Sequence, residues 1–362
     1  MNGTLARLRR SGGPLLGLVA CWLLFALLAG TTFTRWANQE LMLLHTAVVG
    51  TAAIGATWII ASGGIDLAVG STVALGTMVG ALVLRAGGGF ALATTATIAA
   101  GAGLGFVLGG LVVGWLVRLA LALVAAIAVA LLWPTSDGAG RSLGGVVTFA
   151  AALLATRRLH LPLPLSPFLV TLGLWGALRG LAKGLGQNQP IYFPSDTTLA
   201  SLMLPGSLGL PPGVWILLLV AAVAGFALTR SVFGRHVMAL GSNRETARLC
   251  GIDVVRTELL VYVLGGAAAG LAAVLQLSYL SMGDPTTAQG LELKAIAAAV
   301  IGGASLQGGQ ASILGTLLGA FVMTVVDNGC TKLGLDNWVQ EVVTGAIIVA
   351  AVALDRWRQR LG

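Results

Sequence analysis

Charge is what this chain has least of. Asp, Glu, Lys and Arg make up 9% of its 362 residues, against 57% hydrophobic. An ordinary soluble domain carries about a quarter charged residues. A soluble fold of this composition would have almost no polar shell, so the expected fold class is all-α: a polytopic bundle of membrane helices. Histidine and cysteine are also scarce. His45, His160 and His236 are scattered, and Cys21, Cys250 and Cys330 show neither metal spacing nor an evident disulfide pairing, so no metal is expected. The G-x-x-x-x-G-K-[ST] phosphate loop is missing, which excludes ATP binding of that kind. Paired acids, a His cluster and a Ser/Lys dyad are missing too, so the chain is read as no enzyme.

The charge that is present is basic, +8 overall. It sits at the ends of apolar runs, which marks topology and contact with membrane lipid rather than nucleic-acid binding. Arg7, Arg9 and Arg10 place the N-terminus in the cytoplasm, and Arg356, Arg358 and Arg360 place the C-terminus there too. The number of crossings is then even. The first apolar run imitates a signal peptide but is read as a retained span. Apolar runs suggest about twelve spans, roughly 15–30, 41–61, 67–84, 91–115, 119–133, 143–156, 165–183, 213–229, 258–281, 293–306, 310–327 and 338–354. The last-but-two and last-but-one are separated at GGASLQGGQ (302–310), because a single span there would leave the C-terminus outside. Residues 184–212 and 328–337 are read as external loops, with Cys330 in the second.

One long polar segment interrupts the oily chain, at 231–257. Arg235, Arg244, Arg248 and Arg256 cluster there, with Arg230 at its edge, which assigns it to the cytoplasm. Gly241-Ser242-Asn243 is a helix start signal before Arg244-Glu245, and Gly251 is a stop signal. The segment reads as a small amphipathic helix presented to a cytoplasmic partner. Asp66, in GGIDLAVG (63–70), is an acid between two apolar runs. Such a group costs about 2.5–3.5 kcal/mol to insert and is a functional candidate by default. Its alternative role is to cap a helix starting at Leu67.

Five ordered segments carry a resemblance: GGIDLAVGSTVAL, SPFLVTLGLWGALRGLA with GQNQPI, FGRHVMALGSNRETARLCGI, ELKAIAAAVIGGASLQGGQASILGTLLGA and NWVQEVVTGAIIVAAVALD. Together the chain resembles the permease subunits of ribose-type monosaccharide ABC importers. The resemblance implies one transmembrane domain over 1–362, in the inner membrane of a bacterium, importing a monosaccharide or similar small polar solute. It implies a homodimer, an extracytoplasmic solute-binding protein and a separate ABC ATPase subunit, which binds the ATP; the chain itself holds no cofactor. It assigns the 231–257 loop to coupling with the ATPase, through Gly241, Asn243, Glu245, Arg248 and Gly251, with Val237, Met238 and Leu249 helping it dock. Asp66, Gly63, Gly64, Gln189, Gly302 and Gly303 are candidates for the substrate path or its gating. The chain departs from the family at about 116–160, where an inserted helical hairpin, packed at the periphery, adds two spans to the usual count. The alternative function is an ion- or proton-coupled secondary transporter. Finally, 63–83 and 302–322 align without gaps at an offset of 239 residues, a possible parallel repeat.

Overall fold

The computed structural model describes residues 2–117, 122, 124–125, 146–151, 165–194, 198–204 and 209–361, with side chains within 13–353. The hairpin expected at 116–160 lies almost wholly outside the described residues. The rest is a bundle of helices, as composition requires: in lipid, each backbone amide must find its partner inside its own segment. The helices are α1 (Asn2–Ala29), α2 (Thr31–Thr34), α3 (Trp36–Ala61), α4 (Val69–Arg85), α5 (Phe90–Val112), α6 (Pro167–Leu185), α7 (Pro212–Arg230), α8 (Val232–Ser242), α9 (Arg244–Leu249), α10 (Val254–Leu280), α11 (Leu291–Ile301), α12 (Ile313–Lys332) and α13 (Asn337–Leu361). By length and composition α3, α5, α6, α7, α10 and α12 can each cross a membrane; α1, α4 and α13 carry shorter apolar stretches.

The enclosed helix is α3, whose residues from Thr46 to Ala61 are all buried. Two buried hydroxyl pairs tie it to α12: Thr46 to Thr324 at 2.6 Å and Thr57 to Thr316 at 2.8 Å. Glycine decides the closest helix pair. Gly101 and Gly105 of α5 face Gly266 and Gly270 of α10, and a Cβ on Gly101 or Gly105 would strike the Gly266 or Tyr262 carbonyl oxygen. Lipid offers no hydrophobic drive between helices, so such small-xxx-small faces hold by backbone proximity. On the opposite flank, α1 lays Phe25 on Gly329 of α12, and Trp22 donates to Gln39 Oε1 at 3.0 Å.

That contact corrects one expectation. The 328–337 segment is not all loop: α12 continues through Lys332, and Cys330 is buried in it. Packing of α1 extends the helix past the point where the apolar run stops.

The split at 302–310 is observed, between α11 and α12. The 11 residues of α11 rise about 16 Å, roughly half of a ~30 Å hydrocarbon core. The irregular 284–290 segment precedes α11, running beside α4. Its Asp284 carbonyl accepts from Thr77 at 3.4 Å, and Ala288 and Gly290 have φ of 56° and 78°. Just before it, β2 (Met282–Gly283) pairs with β1 (Ile191–Tyr192), fastening the segment after α6 to the end of α10.

The suggested repeat has a local counterpart. Gly64 N bonds Ile59 O and Ala304 N bonds Ala299 O, each at 2.9 Å, with Gly63 and Gly303 at φ 85° and 93°. These are matching left-handed helix caps, but they fall in register at 240 residues rather than 239. Caps with the same bond also form around Gly87, Gly251 and Gly334, so the cap alone does not mark a repeat.

Candidate functional site

The arginine-rich segment folds as two short helices, and local signals account for both. Ser231 Oγ accepts from Gly234 N at 2.9 Å to start α8. Asn243 Oδ1 accepts from Thr246 N at 2.9 Å to start α9. A left-handed Gly251, φ 81°, ends it with Ile252 N on Ala247 O. Start and stop therefore act as their residues suggested. The apolar residues divide differently from the expectation. Val237 is fully buried and Met238 packs against the bundle's own core, while Leu249 is 78% exposed. The apolar face of α8 is taken up within the chain, where Phe233 stacks on Trp58 of α3 at 5.5 Å; a docking role for Val237 is thereby overturned. The charges divide too. Arg244, half exposed, reaches back to make a two-point bond to the buried Glu258 of α10, at 3.0 and 2.7 Å. Glu245 and Arg248 stay exposed and face each other at 3.8 Å.

The end of α8 is wedged into the fold at Gly241. A Cβ there would strike the Ala61 carbonyl oxygen, at the end of α3, and lie 2.5 Å from Gly309 N. Gly309 N itself donates to Ala61 O at 3.0 Å. Gly308, φ 87°, leaves room for only 2.7 Å to Gly241 O and 2.9 Å to the Gly63 Cα. Three candidate groups, Gly241, Gly63 and the turn after Gly302–Gly303, thus meet at one crossing. Gly302 instead faces Gly315 across the α11–α12 contact, Gly64 faces the Tyr262 hydroxyl, and nothing lies within 4 Å of a Cβ on Gly303. Gly308 and Gly309 were not singled out, although both stand in the GGASLQGGQ turn.

Deeper in, α6 holds the break between α3 and α4 and the irregular 284–290 segment before α11. Thr171 Oγ1 donates to Ile65 O at 3.3 Å, and Ser71 Oγ donates to Trp175 O at 2.8 Å. Trp175 Nε1 donates to Glu292 Oε1 at 3.1 Å, and Arg179 Nη1 donates to the carbonyls of Pro285 at 3.2 Å and Thr287 at 2.5 Å. Asp66 is buried and accepts from Ala68 N at 2.7 Å. It closes the turn leading into α4, which begins at Val69 rather than Leu67. Gln189 sits apart from all of these, exposed in the turn after α6. Glu292, Arg179, Lys294 and Asp327 escaped notice. The rule that picked out Asp66, an ionisable group within an apolar run, finds them as well. Among the described residues, no three His, Cys, Asp or Glu side chains are grouped as a metal site would need.

A family described as branched-chain amino acid transport system / permease component matches residues 39–352.

The chain belongs to this permease family.

The permease is similar to the ribose import permease protein of Escherichia coli (strain K12), at 31% identity over 94% of this chain and 93% of the relative. It is similar to the L-arabinose ABC transporter permease protein of Azospirillum brasilense, at 30% over 99% and 91%. It is also similar to the xylose transport system permease protein of Escherichia coli (strain K12), at 31% over 95% and 91%. No solved structure matches the permease.

Proposed function

We propose that the chain is the membrane-spanning subunit of an ABC importer for a monosaccharide such as ribose, arabinose or xylose. A separate ATPase subunit, an extracytoplasmic solute-binding protein and a second copy of this chain complete it, in a bacterial inner membrane with both termini cytoplasmic. The observation that carries the mechanism is the glycine crossing. On the cytoplasmic side, α9 offers Glu245, Arg248 and Leu249 to the ATPase. Movement of α9 is passed to α8, and at Gly241 to the end of α3 and the 302–312 turn. Because both neighbours touch backbone to backbone, there is no soft side chain to absorb the displacement. From that crossing the break after α3 leads to Asp66, and α11 leads from the 302–312 turn to Glu292 at its far end, so a push at the surface reaches polar groups inside the membrane. An ion-coupled transporter would use those acids as coupling sites, and the relatives favour the ATP-driven reading. The test is uptake of the three sugars into vesicles by the complete complex, with ATP and without it. ATP-independent accumulation driven by an ion gradient would remove the proposal.

Replacing Glu245 and Arg248 together with alanine should spare folding, because an exposed pair contributes only about 0–1 kcal/mol. Uptake should fall at least about tenfold, equivalent to ~1.4 kcal/mol of lost coupling, while the complex still hydrolyses ATP. Normal uptake by that variant would exclude α9 as the docking element.

Sidedness follows from the same reading. In a chain freed of Cys21, Cys250 and Cys330, a cysteine at the exposed Ser242 should label only from the cytoplasm. One at the exposed Asn188 should label only from outside. Labelling of both from the same face would mean an odd error in the crossings between them.

A further inference from the structure

A cavity of about 390 Å³ lies between α3, α10, α11, α12 and α13, toward the end of the molecule opposite the arginine-rich helices. A second, of about 450 Å³, lies on the other side of α11, against α6 and α13. Gln289, Lys294, Asp327 and Gln340 line both. The ion pair Lys294–Asp327, 2.5 Å long, therefore stands in the partition between them. We infer that the first cavity is a solute subsite for a neutral polyhydroxylated molecule, with Asp327, Gln276 and Gln289 as its hydrogen-bonding groups. This rests on the importer reading and names where the solute pauses.

Three features support it. The volume falls within the roughly 300–1,000 Å³ of small-molecule sites. The lining has unspent hydrogen-bonding capacity of both kinds. Lys294 uses Asp327 Oδ2, which leaves Oδ1 as an acceptor, and Gln276 spends only its Nε2, on Thr287. The exposed Gln289 amide makes no side-chain bond among the described residues. A sugar hydroxyl both donates and accepts, so a mixed amide and carboxylate lining serves it where a purely donating or accepting one would not. Charge supplies the third feature. The inner charges, Lys294 and Asp327, neutralise each other, and Lys332 is exposed at the rim. A charged solute would have to break the pair and leave a part-buried partner unmatched, which is costly.

The test is protection of a thiol in the complete transporter. Thr331→Cys, at an exposed position that lines only the first cavity, is placed in a chain freed of native cysteines, and its reaction with a thiosulfonate reagent is timed in D-ribose, D-xylose or L-arabinose. A sugar at about twice its dissociation constant should slow the reaction about threefold, by the factor 1 + [L]/Kd. Ribose 5-phosphate at the same concentration should not. In a second variant, Lys294→Gln with Asp327→Asn keeps hydrogen-bonding atoms and removes both charges. There the exclusion of the phosphate should be lost, so that ribose 5-phosphate slows the reaction as the sugar does. Uptake without protection by the same sugar overturns the subsite and leaves the importer reading standing. Protection without ATP-driven uptake keeps the subsite and removes that reading. Equal protection by ribose and its phosphate in the singly substituted chain overturns the preference for a neutral solute.

Discussion

Gly241→Ala should abolish uptake and sharply reduce the amount of folded permease in the membrane. The added methyl would meet the Ala61 carbonyl oxygen and sit 2.5 Å from Gly309 N. Both are backbone atoms, so relief requires α8 to back away from the end of α3 and breaks the 3.0 Å bond between Gly309 and Ala61. Overpacking of this kind costs about 1–3 kcal/mol where side chains can yield, and more where they cannot. Gly251→Ala separates crowding from conformation. Its φ is 81°, but nothing lies within 4 Å of the new methyl. It should cost only about 1–2 kcal/mol of left-handed strain and retain uptake. The measurement is sugar uptake per inserted protein, with thermal unfolding of the purified permease alongside. Wild-type behaviour of Gly241→Ala would mean that α8 does not bear on the helix breaks.

Arg244→Ala should come next in severity. It strips the two-point partner from Glu258, whose side chain is 8% exposed against 52% for Arg244. An orphaned, buried acceptor costs about 1–3 kcal/mol, more when charged. Arg244→Lys should restore little, because one ammonium cannot reproduce the planar two-bond fork. Arg244→Met with Glu258→Leu removes both charges and should return most of the stability, since apolar replacement of a buried pair is commonly neutral. Uptake should not return with it, if the pair is what holds α9 to α10 during the ATP cycle. Recovery of uptake in the double variant would reduce the pair to a packing role. Ratios of ATP hydrolysed to sugar moved, measured on the intact complex, distinguish the two.

Much of the architecture could be read from local pattern because local physics controls it. The paucity of charge requires a membrane bundle. The Asn243 cap and the left-handed Gly251 need only their own side chains and backbone, so α9 begins and ends where its residues suggest. The glycine-rich run at 302–310 breaks a helix wherever it is placed. Tertiary structure decided the rest. Val237 looks free to dock a partner until α8 is laid on α3 and α7, because which face of a helix is covered depends on what lies beneath it. Residues 328–332 look like loop until Phe25 packs on Gly329. Gly241, Gly63 and Gly308 are far apart in sequence, and the absence of a side chain acquires its meaning only when three backbones converge on one point. Arg244 and Arg248 stand one helical turn apart, a spacing that by itself puts both on one face of α9. The buried Glu258 of α10 takes the first as its partner and leaves the second to pair on the surface with Glu245.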